Sequence, residues 1–325
     1  MPASEPELAK QFFGNTHASG PKGPTGLLRN LPQPIASTPA WVIPSAIAFY
    51  DAQLRPTARR LRDRRGVIVA SVDHAWKMKR RHSDCLFLEF GVFEGGDLQA
   101  IADTVARKTP RGAQPTIVHG FDSFEGLPET WQNNASMPLP KGHFHLHGRA
   151  PKFLRPDCCN VSLHPGWFAD TVAPFLDGDA EPAGHRASAA AAPVAFIHAD
   201  ADLYSSTVCF LRALCERRRV TVGSVVLFDE YWNYEGWQDG EYRAWLEISA
   251  EFGLEFAYLL YHGPQSDSEP DTRHRTNAYG FKSVAVVVTR VPSVSAVQVG
   301  DLCSESRRST SADRPVATAS DTKPH

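Results

Sequence analysis

Four carboxylates fall in two short strings, Asp200 and Asp202 in HADADLYSST and Asp229 and Glu230 in FDEYWNYEGW. Each string follows an apolar run of strand length, so the acids stand just beyond a strand's carboxyl end, where open α/β sheets hold their ligands. Carboxylates gathered in this way repel one another unless a cation or a shared proton compensates. Because no cysteine is among them, the all-oxygen set suits Mg²⁺ better than zinc. Helix capping by Asp202, or simple solvation of Glu230, would explain either residue alone and explains the set poorly.

Other residues extend this chemistry. His198 precedes Asp200 by two positions and shares its face of the strand, as a general base or as a hydrogen-bonded core histidine. EFGVFEGGDL carries Gly91, Gly95 and Gly96 at a strand-to-helix junction, where missing side chains let a nucleotide approach a helix N-terminus. The spacing is not GxGxxG, which argues against a pyrophosphate-binding dinucleotide fold. Asp122 ends the next apolar run, IVHGFDSFEGLPE, at a position where a carboxylate can accept from both ribose hydroxyls. His143, His145 and His147 alternate in GHFHLHG but lie between Pro and Gly without a fourth ligand, which suits a substrate-side loop more than a metal site.

The elements that position these residues follow from the alternation of short apolar runs with longer amphipathic ones, the signature of βαβ units. The runs CLFLEFG, TIVHGFD, VSLHPG, VAFIHAD, SVVLFDE, LEFAYLLYH and FKSVAVVVTR predict seven strands. Helices are expected at about 96–107, 167–176, 204–218 and 236–252. No helix-length segment separates the last two runs, so the sheet should close with an antiparallel hairpin. The expected organisation is an N-terminal arm or lid over 1–45, a catalytic domain over 46–291 and a disordered tail over 292–325, with a surface insertion at 177–193.

Composition narrows the function. A formal net charge of -2 lacks the basic excess of a nucleic-acid-binding protein. The arginine-rich strings RPTARRLRDRRG and WKMKRRH read as solvated faces of amphipathic helices. Six cysteines without a CxxC pair predict neither a zinc ribbon nor a disulfide scaffold, and suit a reducing compartment. With neither a signal pattern nor a run of about 18 apolar residues, the expectation is a cytoplasmic protein without a membrane partner. The sequence leaves homo-oligomerisation open.

The strings EFGVFEGG, GFDSFEGLPE, GWFADTVAPFL, HADADLYSST and FDEYWN, in this order over about 86–235, resemble the class I S-adenosylmethionine (SAM)-dependent methyltransferases, and within them the macrocin (macrolide-sugar) O-methyltransferase-like group. The resemblance implies an α/β, Rossmann-like sheet of seven strands, mainly parallel with an antiparallel last strand and helices on both faces. It implies that Glu89, Gly91, Gly95, Asp122 and Ser123 bind SAM and that Asp200 and Asp229 ligate a divalent metal, with Glu230 as third ligand and Asp202 as general base. Glu230 departs from the group, which usually has a second Asp there. The implied reaction is metal-assisted O-methylation of a hydroxylated small molecule, a sugar or natural-product scaffold. The competing readings are an NAD-dependent oxidoreductase on a Rossmann-like sheet and a noncatalytic SAM-binding protein. Asp202 is preferred to His198 as base because it lies beyond the strand end.

Overall fold

The computed structural model describes residues 39, 41–79, 84–132, 138–149, 151–155, 158–179, 192–264 and 280–292. Eight strands form one sheet: β1 (Arg59–Leu61), β2 (Leu86–Phe90), β3 (Val118–Asp122), β4 (Val161–Pro165), β5 (Val194–Ala199), β6 (Val225–Phe228), β7 (Glu255–His262) and β8 (Val284–Arg290). Their order is β1-β7-β8-β6-β5-β2-β3-β4. β8 lies antiparallel between β6 and β7, and all other pairings are parallel. The mainly parallel sheet with an antiparallel last strand is thus observed. The strand number is corrected from seven to eight, because three residues of the basic string RPTARRLRDRRG add the edge strand β1 beside β7. So short and polar a segment carries no apolar period by which it could be recognised.

Five longer helices accompany the sheet: α1 (Arg64–Lys79), α2 (Gly96–Lys108), α3 (Phe168–Asp177), α4 (Tyr204–Glu216) and α5 (Glu241–Glu251). The central strands LFLEF, VAFIHA and VVLF are buried along their whole length, as expected when helices cover both faces. Side-chain alternation divides each strand between two cores. On one face Phe87, Phe196, Val225 and Leu227 pack with Val67 and Val72 of α1 and Leu98 and Ile101 of α2. On the other, Leu88, Phe90, Ile197 and Phe228 pack with Phe175 of α3, Phe210 of α4 and Trp245 of α5.

Trp41, which the sequence reading places in the arm, is fully buried and lies edge-on to Tyr50, Trp232 and Phe281. The folded unit therefore begins ahead of residue 46; residues 1–38, the 180–191 part of the insertion and the tail from 293 lie outside the described residues. Among the described residues no helix is long and apolar enough to cross a membrane.

The chain leaves β2 for β3 and β4 on one side, then crosses back to β5 and β6 on the other. The order reverses between β2 and β5, and at such a switch point the connections diverge and leave a crevice outside the strands' carboxyl ends.

Candidate active site

A cavity of about 1130 Å³ opens at this crevice, lined by residues from the ends of β2, β3, β5 and β6. It exceeds the roughly 300–1,000 Å³ typical of a single small-molecule pocket, so it can hold a cofactor and an acceptor together. Glu89, Gly91, Gly95, Asp122, Ser123, Asp200, Asp202, Asp229 and Glu230 all line it. His198 does not.

Gly91 has φ +92°, and a Cβ there would stand 1.8 Å from the carbonyl oxygen of Asp200. Only glycine lets β2 and β5 lie this close past their ends, where the Asp200 amide donates to Phe90 O at 2.9 Å. Gly91→Ala should therefore lower the melting temperature measured by scanning calorimetry, because relieving the overlap requires moving backbone rather than a side chain. Gly95, at φ +82°, precedes α2 and aims that helix's N-terminus at the cavity.

Asp122 is more occupied than the sequence suggests. Its Oδ2 accepts from the amides of Val92 and Phe93, each at 2.8 Å, and its Oδ1 from the Phe124 amide at 2.6 Å. It pins the β2 turn to the β3 turn and keeps acceptor capacity on Oδ1 for a hydroxyl. Ser123 Oγ accepts from the Glu125 amide at 3.1 Å.

The carboxylates are compensated by the protein itself. Arg64, the first residue of α1, extends between them: Nε donates to Asp229 Oδ1 at 2.7 Å, NH2 to Asp200 Oδ2 at 3.1 Å, and NH1 pairs with Asp97 of α2. Ser283 Oγ also donates to Asp229 Oδ1, at 2.8 Å. Glu230 pairs with Lys282 at 2.9 Å. Glu241, fully buried at the start of α5, accepts from the amides of Ala201 and Glu230 at 3.4 and 3.0 Å and ties the two acidic loops together.

These contacts set the charges. Burial works to raise the Asp229 pKa, but Arg64 and Ser283 outweigh it and hold the carboxyl below its usual range. Asp200 is pushed well above that range by burial and by Asp229, against the pull of Arg64. Burial lifts Glu230 to about 7, moderated by Lys282, and Glu241 is also raised well above the ordinary value, mainly by burial.

The expected metal-ligand set is not assembled. A guanidinium stands between Asp200 and Asp229, Glu230 is turned to an ammonium, and among the described residues the only group of three or more His, Cys or acidic side chains with ligand atoms mutually within 4.8 Å is Glu89, Asp97 and His198. This arrangement does not fit an octahedral dication on Asp200, Asp229 and Glu230, because the charge Mg²⁺ would supply is already present.

Asp202 differs from its neighbours. It has φ +60°, a strained conformation for a residue other than glycine, and among the described residues its carboxyl has no hydrogen-bond partner. Burial, then repulsion from Asp200, Glu230 and Asp229, raises its pKa well above the usual range. His198 corrects the other base assignment: it is fully buried within β5 with Nδ1 2.8 Å from Glu89 Oε1, out of reach of any acceptor in the cavity.

Trp131, Phe144 and Phe153 line the cavity, whereas Trp232 and Trp237 belong to the core. His143 lies on the cavity wall, and His145 and His147 contact each other in the same loop without forming a metal group.

No protein-family model matches the chain, and no curated protein does. Among solved structures it is similar to a calicheamicin methyltransferase (24% identity, TM-score 0.46, covering 60% of this chain and 76% of that one). It is also similar to the O-methyltransferase NovP (20%, 0.43, 70% and 80%) and to an O-methyltransferase from Bacillus cereus in complex with S-adenosylhomocysteine (SAH) (15%, 0.36, 68% and 80%). The neighbours so described are methyltransferases.

Proposed function

We propose that the chain transfers the methyl group of SAM to a hydroxyl of a small-molecule acceptor, with Asp202 as the general base. The observation that carries this reading is the unpartnered, proton-avid Asp202 carboxyl on the wall of a cavity large enough for two ligands. Methyl transfer from a sulfonium requires alignment of nucleophile and methyl carbon plus a destination for the hydroxyl proton. As the acceptor oxygen bonds to the methyl carbon, the carbon–sulfur bond breaks toward sulfur and the proton passes to Asp202, leaving a methyl ether and SAH. A carboxyl whose pKa is raised takes that proton more readily than an exposed aspartate.

Charge supports the same ligand. Asp97, Asp200, Asp202, Asp229, Glu230 and Glu241 gather around two basic side chains, Arg64 and Lys282. Because burial and mutual repulsion raise Asp200, Asp202, Glu230 and Glu241, a ligand with positive groups would favour their ionised forms, and SAM brings a sulfonium and an ammonium. The Gly91 turn and the remaining acceptor capacity of Asp122 suit its adenosine.

Incubation with methyl-labelled SAM and a panel of sugars and hydroxylated natural-product scaffolds should yield labelled methyl ether and SAH one for one. Tight SAH binding without transfer to any acceptor would favour the noncatalytic reading, and binding of NAD in place of SAH would favour the oxidoreductase.

A further inference from the structure

Asp202 stands at the centre of an unusual turn. The Leu203 amide donates to Ala201 O at 2.6 Å, and Asp202 between them has φ +60°. A hydrogen bond from residue i+2 back to residue i about a positive φ marks the rare, strained form of the γ-turn. A residue other than glycine keeps such a conformation only where its surroundings over-determine it. Both ends of this turn are held.

After the turn, Leu203 packs with Leu127 and Trp131, and its carbonyl accepts from the Thr207 amide at 3.0 Å and the Thr207 hydroxyl at 2.9 Å, which fixes it to the start of α4. Before the turn, Asp200 is fixed to β2 by its amide bond to Phe90 O. Between these anchors the Ala201 amide donates to Glu241 Oε1 at 3.4 Å, while the Glu230 amide donates to Glu241 Oε2 at 3.0 Å. Glu241 is fully buried and does not line the cavity, so both its oxygens serve backbone and neither serves a ligand. Gly240 keeps the approach open, because a Cβ there would stand 2.7 Å from Tyr234 Oη, which itself donates to Glu230 O at 3.1 Å.

We propose that Glu241 is the positioning residue of the general base: by accepting from the Ala201 amide, it holds the γ-turn that presents the Asp202 carboxyl to the acceptor. This rests on the reading of Asp202 as base given above. One carboxyl bridges the loop after β5 and the loop after β6, so Asp202 and Glu230 keep a fixed spacing along the cavity wall. Without it the buried Ala201 amide loses its partner, and a backbone donor in that state turns toward another acceptor. Residue 202 then returns to a negative φ, and its carboxyl moves off the line of the hydroxyl proton. Misplacement by about 1 Å can cost about 10²-fold in rate.

A melting cycle on the full chain tests the turn without any acceptor. With Glu241 in place, Asp202→Gly should melt about 2–4 °C above Asp202→Ala, because glycine alone takes a positive φ without strain. In the Glu241→Ala background that difference should vanish, since residue 202 is then free to take a negative φ. An equal difference in both backgrounds would overturn the proposal, because a carboxyl that merely stabilises the fold lowers both melting temperatures alike. If the Glu241→Ala chains do not fold, hydrogen exchange of the wild type decides: the Ala201 amide should be protected, and exchange at the rate of an open loop would overturn the proposal. On an acceptor found with labelled SAM, Glu241→Ala should lower kcat by about 10- to 10²-fold and leave KM for SAM within about twofold. Glu241→Gln, which keeps one acceptor oxygen, should lose less, and an unchanged kcat in Glu241→Ala would remove the positioning role. Wild-type turnover by Asp202→Asn would instead refute the base reading, which the melting cycle does not touch.

Discussion

Asp202→Asn is expected to cut turnover by about 10²- to 10⁴-fold while leaving SAH affinity within a factor of about two of wild type. The amide keeps the size and polarity of the carboxyl but cannot take the acceptor proton. The pH profile carries the same assignment. Asp202 must be ionised to act, and burial with neighbouring acids raises its pKa. Wild-type activity should therefore fall as pH drops through a value above the usual aspartate range, and the residual activity of the variant should lack that limb. Wild-type turnover by Asp202→Asn on the identified acceptor would remove Asp202 from the mechanism.

Arg64→Met is the second large effect. It leaves Asp97, Asp200 and Asp229 without their shared cation. Breaking a fully buried pair costs about 3–5 kcal/mol; with the Arg64 side chain 32% exposed, about 2–4 kcal/mol of unfolding free energy is expected here. Removal of the guanidinium also frees acidic oxygens at two strand ends, which hard dications prefer. Mg²⁺ should accordingly raise the melting temperature of Arg64→Met and leave wild type unmoved. Equal stabilisation of both proteins would mean that a dication displaces Arg64 and that the carboxylates act as metal ligands after all.

These two residues also mark what the sequence reveals. Asp202 is legible because an apolar strand run ends just before it and chain direction then fixes where it stands. Gly91 and Asp122 are legible in the same way, although the three backbone donors to Asp122 are not. Arg64 is illegible: it lies 136 positions from Asp200, inside an arginine-rich string in which residue type does not distinguish it from the other arginines, and only the packing of α1 on the sheet aims it inward. Lys282 and Glu241 are hidden likewise, since ordinary charged residues acquire their roles from tertiary contacts. The four acids are therefore read correctly as requiring compensation, and Mg²⁺ follows because residue type near the motif offers no cation. The charge instead comes from residues distant in sequence. His198 shows the complementary case, in which strand alternation places its face correctly and its register partner, Glu89, determines that it cannot reach an acceptor.

The most direct test of the account is a crystal structure grown with SAH and Mg²⁺. It should show the adenosine at the Gly91 and Asp122 turns, the sulfur directed toward Asp202, and Arg64 still between Asp200 and Asp229. SAH bound away from the carboxyl ends of β2 and β5, or a cavity that excludes it at saturating concentration, would contradict the assignment of this site to methyl transfer.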